Sequence, residues 1–92
     1  MSVTVRIPTV LQKLANGQDE IVANGSTVRE VFAAVGGDYK ELYARITTAE
    51  GAVKPFLNVF VNGDDIRFLS SLETAVKDGD EVAIVPAIAG GR

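Results

Sequence analysis

The residues able to do chemistry in this chain are few, and most of them sit where another explanation suffices. Among its 92 residues there is no cysteine and no histidine. That removes the thiol nucleophile, the commonest general base and the commonest metal ligand. The aspartates cluster in two short runs, Asn62-Gly63-Asp64-Asp65 and Asp78-Gly79-Asp80. Aspartate favours turns because its carboxylate bonds its own backbone, and the first run lacks the spacing of a calcium loop. Turn chemistry therefore outweighs acid–base work at both. Ser70-Ser71 has no histidine to activate it, and Gly36-Gly37 follows a helical pattern instead of leading a strand into a helix as a phosphate loop does. The chain is not expected to catalyse on its own. What remains is the ending, Pro86-Ala87-Ile88-Ala89-Gly90-Gly91-Arg92. Two residues without side chains let an extended backbone pass a narrow channel and bring a terminal carboxylate to a reactive site. Taken alone, a diglycine is more simply a frayed terminus; its position relative to the fold decides between the two.

The elements before it are legible from periodicity. Val3, Val5 and Ile7 alternate with Thr4 and Arg6, the period of a half-buried strand, which Pro8 ends. Asn16-Gly17-Gln18 reads as a turn, with Asp19 to Asn24 returning as a second strand whose facing is ambiguous between Ile21 and Val22. Thr27-Val28-Arg29-Glu30 fits a capping box, and Val28, Val31, Phe32 and Val35 form one helical stripe that Gly36-Gly37 is expected to stop. Asp38 to Glu41 starts a shorter helix carrying Leu42 and Ile46, and residues 47–55 read as loop. A third strand runs from Phe56 to Val61, turns at Asn62-Gly63, and leads into a short strand around Asp65 to Phe68. Leu69 to Val76 reads as irregular or short helical structure. After the Asp78-Gly79-Asp80 turn comes a last strand, Glu81 to Val85.

A hairpin, a helix and further strands in this order imply an α+β domain. The ββαββ sequence matches the ubiquitin-like β-grasp, a mixed sheet of about four to five strands on one main helix, its last strand central and parallel to the first. Residues 1–87 form the expected domain and 88–92 a flexible C-terminal diglycine tail. Strand parity puts Leu57, Val59, Val61, Val82 and Ile84 against the helix, and Thr4, Arg6, Phe60, Ala83 and Val85 on the open face. Phe60, Ala83 and Val85 near the root of the tail are the candidate partner-docking patch.

Composition agrees with one small soluble domain. At 47% hydrophobic residues and a net charge of −3, the chain has core enough to fold without staples. It has no basic run for a phosphate backbone, so nucleic acid is not an expected partner. The N-terminus lacks the apolar run of a signal peptide, and no segment approaches membrane-spanning length. The expected location is cytoplasmic, with no membrane partner.

The stretches Val5-Arg6-Ile7-Pro8-Thr9-Val10-Leu11, Asn16-Gly17-Gln18, Asn58-Val59-Phe60-Val61-Asn62, Asp64-Asp65-Ile66-Arg67-Phe68, Asp78-Gly79-Asp80 and Val85-Pro86-Ala87-Ile88-Ala89-Gly90-Gly91, in that order, resemble the ThiS/MoaD superfamily of ubiquitin-like sulfur carriers, most closely its cysteine-biosynthesis (CysO) type. The resemblance implies that a ubiquitin-activating-type enzyme adenylates the Gly91 carboxylate with ATP and that a sulfur donor converts it to a thiocarboxylate. It implies an O-phosphoserine-dependent, pyridoxal-phosphate cysteine synthase as sulfur acceptor and a zinc metallopeptidase that releases cysteine. No cofactor is bound by the carrier itself; ATP, zinc and pyridoxal phosphate belong to the partners. Ala89, Gly90 and Gly91 form the reactive tail. Arg92 departs from the pattern, since mature carriers end at the second glycine: either it is trimmed by a metallopeptidase or it is foreign to the natural chain. The alternatives are a molybdopterin-synthase small subunit, a thiazole-synthesis carrier, a ubiquitin-like modifier of lysines, or a non-covalent interaction domain.

Overall fold

A computed structural model of the protein describes residues 2–86. The first strand, β1 (Ser2–Arg6), buries Val3 and Val5 and leaves Thr4 and Arg6 on the opposite face. The chain does not turn straight back. Residues Thr9–Ala15 wind into a 3-10 helix that buries Leu11 and Ala15. Asn16 and Gly17, both at positive φ (57° and 80°), then reverse the chain. The simple hairpin expected from sequence thus carries a helical insert, because Leu11 and Ala15 have apolar surface to cover at the end of the sheet. Strand β2 (Glu20–Asn24) pairs antiparallel with β1 in a register that sets Ile21 opposite Val5. This settles the facing: Ile21 and Ala23 are buried and Val22 is 68% exposed.

The main helix, α1 (Val28–Asp38), begins as the sequence indicates. The Thr27 hydroxyl accepts from the Glu30 N–H at 3.2 Å. The Glu30 carboxylate reaches back one residue further than a capping box requires, accepting from the backbone N–H and the hydroxyl of Ser26, each at 2.8 Å. These two bonds hold the Glu30 carboxyl below the usual carboxylate range. Val28, Val31, Phe32 and Val35 are all buried against the sheet.

Gly36 and Gly37 do not stop this helix; it runs through both to Asp38. The reason is packing. A Cβ on Gly36 would stand 2.9 Å from Cγ of Tyr43, on the following helix α2 (Lys40–Ile46). The glycine lets the two helices approach, and it is Tyr39, at φ −133° and ψ 76°, that breaks the helical run. From α2, Leu42 and Ile46 enter the core fully buried.

Strand β3 (Leu57–Val61) has the expected parity, with Leu57, Val59 and Val61 inward. Phe56 is not part of it; it lies in the preceding turn, 57% exposed. Beyond the Asn62-Gly63 turn, β4 is only Asp64–Asp65. The strand expected through Phe68 ends there because Asp65 accepts from the Arg67 N–H at 2.8 Å, capping a 3-10 turn (Ile66–Phe68). A second 3-10 turn, Ser71–Glu73, buries Leu72. The last strand, β5 (Glu81–Pro86), runs between β1 and β3, parallel to the first and antiparallel to the second. The sheet order is β2-β1-β5-β3-β4, and the core lies between one face of it and α1, α2 and the 3-10 turns.

The two helix glycines should respond oppositely to alanine. A Cβ on Gly37 meets nothing within 4 Å, so Gly37→Ala should stabilise by about 0.5–1 kcal/mol through helix propensity. Gly36→Ala should destabilise by about 1–3 kcal/mol, because Tyr43 must shift. Urea midpoints of both variants check the pair.

Candidate functional site

The geometry that bears on function is the placement of β5, because the C-terminal segment leaves from its end. The strand is anchored at its start by the Asp78-Gly79-Asp80 turn, in which Gly79 has φ 90°. The Thr4 N–H donates to the Asp80 carbonyl at 3.0 Å, tying the turn to β1. The Asp80 carboxylate accepts from Asn62 Nδ2 at 3.0 Å and from the Lys77 N–H at 2.8 Å. The Asn62 carbonyl oxygen in turn accepts from the Glu81 N–H at 3.0 Å. One buried carboxylate therefore sets where β5 begins relative to both neighbours. At the other end, Pro86 lies opposite Leu57 of β3. β5 therefore ends in the interior of the sheet order, not at an edge.

On the open face, Phe60, Ala83 and Arg6 stand in register across β3, β5 and β1. Val85 lies two pairs further along β5, opposite Asn58, and is 41% exposed. Phe60 and Ala83 are half-buried. The structure thus brings together the three residues named from parity, Phe60, Ala83 and Val85, on one face beside the strand that carries the tail. Arg6 borders this patch, paired with Glu20 and, at 3.2 Å, with Glu81. Ala89, Gly90, Gly91 and Arg92 lie outside the described residues, as does the proposed boundary at residue 87.

Sequence reasoning did not single out Phe68, which is 84% exposed, or Leu69, 47% exposed, next to it. They follow an Asp65–Arg67 clamp in which the guanidinium Nη2 lies 2.7 Å from Oδ2. Those hydrogen bonds hold the Asp65 carboxyl below the usual carboxylate range. The signal available was Asp65 two residues before Arg67, the spacing at which an aspartate caps a turn. Among the described residues no cluster of three or more histidines, cysteines or carboxylates could hold a metal. No described helix is long and apolar enough to cross a membrane.

The sequence profile of the ThiS family matches residues 5–91. This chain belongs to that family. It is 40% identical to the sulfur carrier protein CysO of Mycobacterium tuberculosis over 93 residues, covering 99% of this chain and all of that one. A chain in the crystal structure of the Amycolatopsis orientalis BexX/CysO complex superposes with a TM-score of 0.89 at 43% identity, covering 97% of this chain and 99% of that one. Small archaeal modifier protein 3 of Haloferax volcanii is 37% identical over 70 residues, 76% of this chain and 75% of that one. Members of the ThiS family are small protein carriers, not catalysts, and the β-grasp fold expected from the sequence is the one observed.

The anchor of β5 has a pH signature. Hydrogen bonds from the Asn62 side chain and the Lys77 N–H hold the Asp80 carboxyl below its ordinary range. A carboxyl depressed in the folded state adds stability above its unfolded pKa of about 3.9, and that contribution is lost as pH falls through the folded value. Asp80→Asn should therefore lower the urea midpoint at pH 7, and the gap from the parent protein should close as the pH drops from about 4 towards 2. Urea titrations across that range check it; a gap independent of pH contradicts it.

Proposed function

We propose that this protein is a sulfur carrier that works through its C-terminal glycine. The observation that carries this reading is the coincidence of two facts. The family match ends at Gly91, the second glycine, and the segment containing it follows the central strand of a domain whose Asp65 and Asp80 carboxylates are taken up in a cap and a turn. In the proposed cycle an activating enzyme joins the Gly91 carboxylate to AMP, releasing pyrophosphate. A sulfur nucleophile then displaces AMP to leave a thiocarboxylate. Sulfur replaces one oxygen at the carboxyl carbon, so the carrier needs no cysteine. Glycine at 90 and 91 keeps that carbon approachable from every side, because neither residue has a Cβ to block an active-site channel.

Similarity to CysO favours cysteine biosynthesis as the destination. There the thiocarboxylate sulfur displaces phosphate from O-phosphoserine on a pyridoxal-phosphate synthase, an acyl shift moves the carrier to the amine, and a zinc metallopeptidase frees cysteine and the carrier. Such chemistry, drawing on ATP and reduced sulfur, belongs in the cytoplasm. Arg92 must be removed before Gly91 can be activated. A second reading, a modifier joined to lysine amines through the same adenylate, is favoured by the similarity to the archaeal modifier protein.

Trimmed protein ending at Gly91 should release pyrophosphate when mixed with its activating enzyme and ATP, and gain the mass of one sulfur in place of oxygen once a sulfur donor is supplied. Protein ending at Arg92, and trimmed Gly90→Leu/Gly91→Leu protein, should do neither while unfolding at an unchanged urea midpoint. Normal thiocarboxylate on the double variant would sink the tail's role. Lysine-linked adducts without thiocarboxylate would favour the modifier.

The docking surface for that enzyme is proposed to be the open face around Phe60, Ala83 and Val85. An aromatic anchor buried at an interface commonly contributes about 2 kcal/mol or more, so Phe60→Asp should weaken binding of the activating enzyme by at least about tenfold. The free domain should lose little, since Phe60 points away from the core. Affinity and the urea midpoint, measured side by side, separate the two effects; unchanged affinity removes Phe60 from the interface.

A further inference from the structure

The two edges of the sheet are finished differently. At one, β4 gives way after Asp65 to the 3-10 turn that this residue caps, and the Leu57 N–H on β3 is taken by the Lys54 carbonyl at 3.0 Å. At the other edge lies β2. The Thr4 N–H donates to the Asp80 carbonyl and the Ile7 N–H to the Asp19 carbonyl. Even-numbered residues of β1 therefore bond towards β5 and odd-numbered ones towards β2. The pairs Val5–Ile21 and Val3–Ala23 then occupy the backbone of Ile21 and Ala23, and turn the N–H and C=O groups of Glu20, Val22 and Asn24 outwards. Among the described residues, nothing bonds to these outward groups.

Strand edges that stay single are commonly protected by a lysine, a proline, a bulge or a very short strand. β2 has none of these: its register with β1 is unbroken from Glu20 to Asn24. Its one charge, on Glu20, is drawn away from the edge to Arg6. Its middle residue, Val22, is β-branched and exposed on the open face.

The edge is complementary to itself. About a two-fold axis through Val22, an antiparallel second copy sets Val22 against Val22, Glu20 against Asn24 and Asp19 against Gly25. Each outward N–H then meets an outward C=O, and no two like charges stand opposite each other. An axis through Glu20 instead sets two carboxylates face to face. An axis through Asn24 sets Glu20 against Ser26, whose N–H already donates to Glu30 at 2.8 Å. Only the Val22 axis pairs the three outward residues of each copy with one another.

We infer that β2 is a self-association edge: two copies of this chain pair β2 with β2 about Val22 and join their five-stranded sheets into one. The axis stands normal to the sheet, so both α1 helices lie on one side and both Phe60 faces stay uncovered on the other. β1 separates the joint from β5, and the inference does not depend on the chemistry or the docking proposed above. The joint is the length of β2, roughly 17 Å. That is well short of a standard interface, which puts the dissociation constant at about 50–500 µM.

Sedimentation of the full chain should show mostly monomer at about 10 µM and mostly dimer at about 1 mM. Over the same range, hydrogen exchange at the Val22 amide should slow at least about twofold, while that at Asp64, on the opposite edge, stays unchanged. Val22→Lys sets like charges at the axis and should raise the dissociation constant at least about threefold. Asn24→Lys faces Glu20 of the second copy and should lower it at least about twofold. Amide spectra of native dispersion show that both variants are folded. Monomer at the higher concentration, a dimer indifferent to Val22→Lys, or one loosened by Asn24→Lys overturns the inference. So does a monomer whose Val22 amide is slowed by an added Val-Thr-Val-Thr-Val peptide, which gives the edge to a foreign strand.

Discussion

The parallel contact between β1 and β5 is the constraint on which the rest of the structure depends. These strands are the two ends of the described chain, and no local turn can join parallel neighbours. Everything between them has to act as the crossover. The register Val5 opposite Val82 is held at its origin by Asp80, whose carbonyl takes the Thr4 N–H and whose carboxylate takes Asn62 and Lys77. Because Asn62 belongs to the β3–β4 turn, the same carboxylate orders both sides of β5. A central last strand then follows, and with it a C-terminal segment that starts from the middle of the sheet.

That arrangement divides the molecule by period. Every second residue of β1, β3 and β5 meets α1 and α2: Val3, Val5, Leu57, Val59, Val61, Val82 and Ile84 are all buried. The intervening residues, Arg6, Phe60, Ala83 and Val85 among them, compose a face that no described helix covers. One face of the sheet thereby serves stability while the other is left uncovered by any described helix, and the central strand β5 contributes to both. The family's chemistry takes place at a carboxyl group, so the domain's task is to place and present it.

Much of this was legible before any coordinates. The stripe Val28, Val31, Phe32 and Val35 and the Thr27 cap announced α1 because helix periodicity and capping are local properties. The parity of β3 placed Phe60 outward for the same kind of reason. The failures were places where distant residues overrode local preference. Gly36-Gly37 reads as a stop, yet the helix continues because Tyr43 of α2 packs over the bare Cα of Gly36. Ile21 and Val22 are equivalent by composition, and only pairing with Val5 chose Ile21 for the core. The 3-10 segment Thr9–Ala15 shows no strong period, and it forms because Leu11 and Ala15 find the sheet's end to cover.

The sequence by itself narrowed the class of chemistry and supplied the family resemblance. With neither cysteine nor histidine and with the aspartates in turn motifs, Gly90-Gly91 was the candidate left by residue type, and the family resemblance, not composition, gave it a role. Tertiary structure decided the arrangement of the strands that precede it. It put β5 between β1 and β3, gathered Phe60, Ala83 and Val85 into one patch, and left Leu57 to Val59 paired with β5 but not with β4. The physical reason is range: side-chain chemistry and strand period are properties of a residue and its near neighbours. Which strands meet, and which edge stays open, depends on hydrogen bonds between residues as far apart as Thr4 and Asp80.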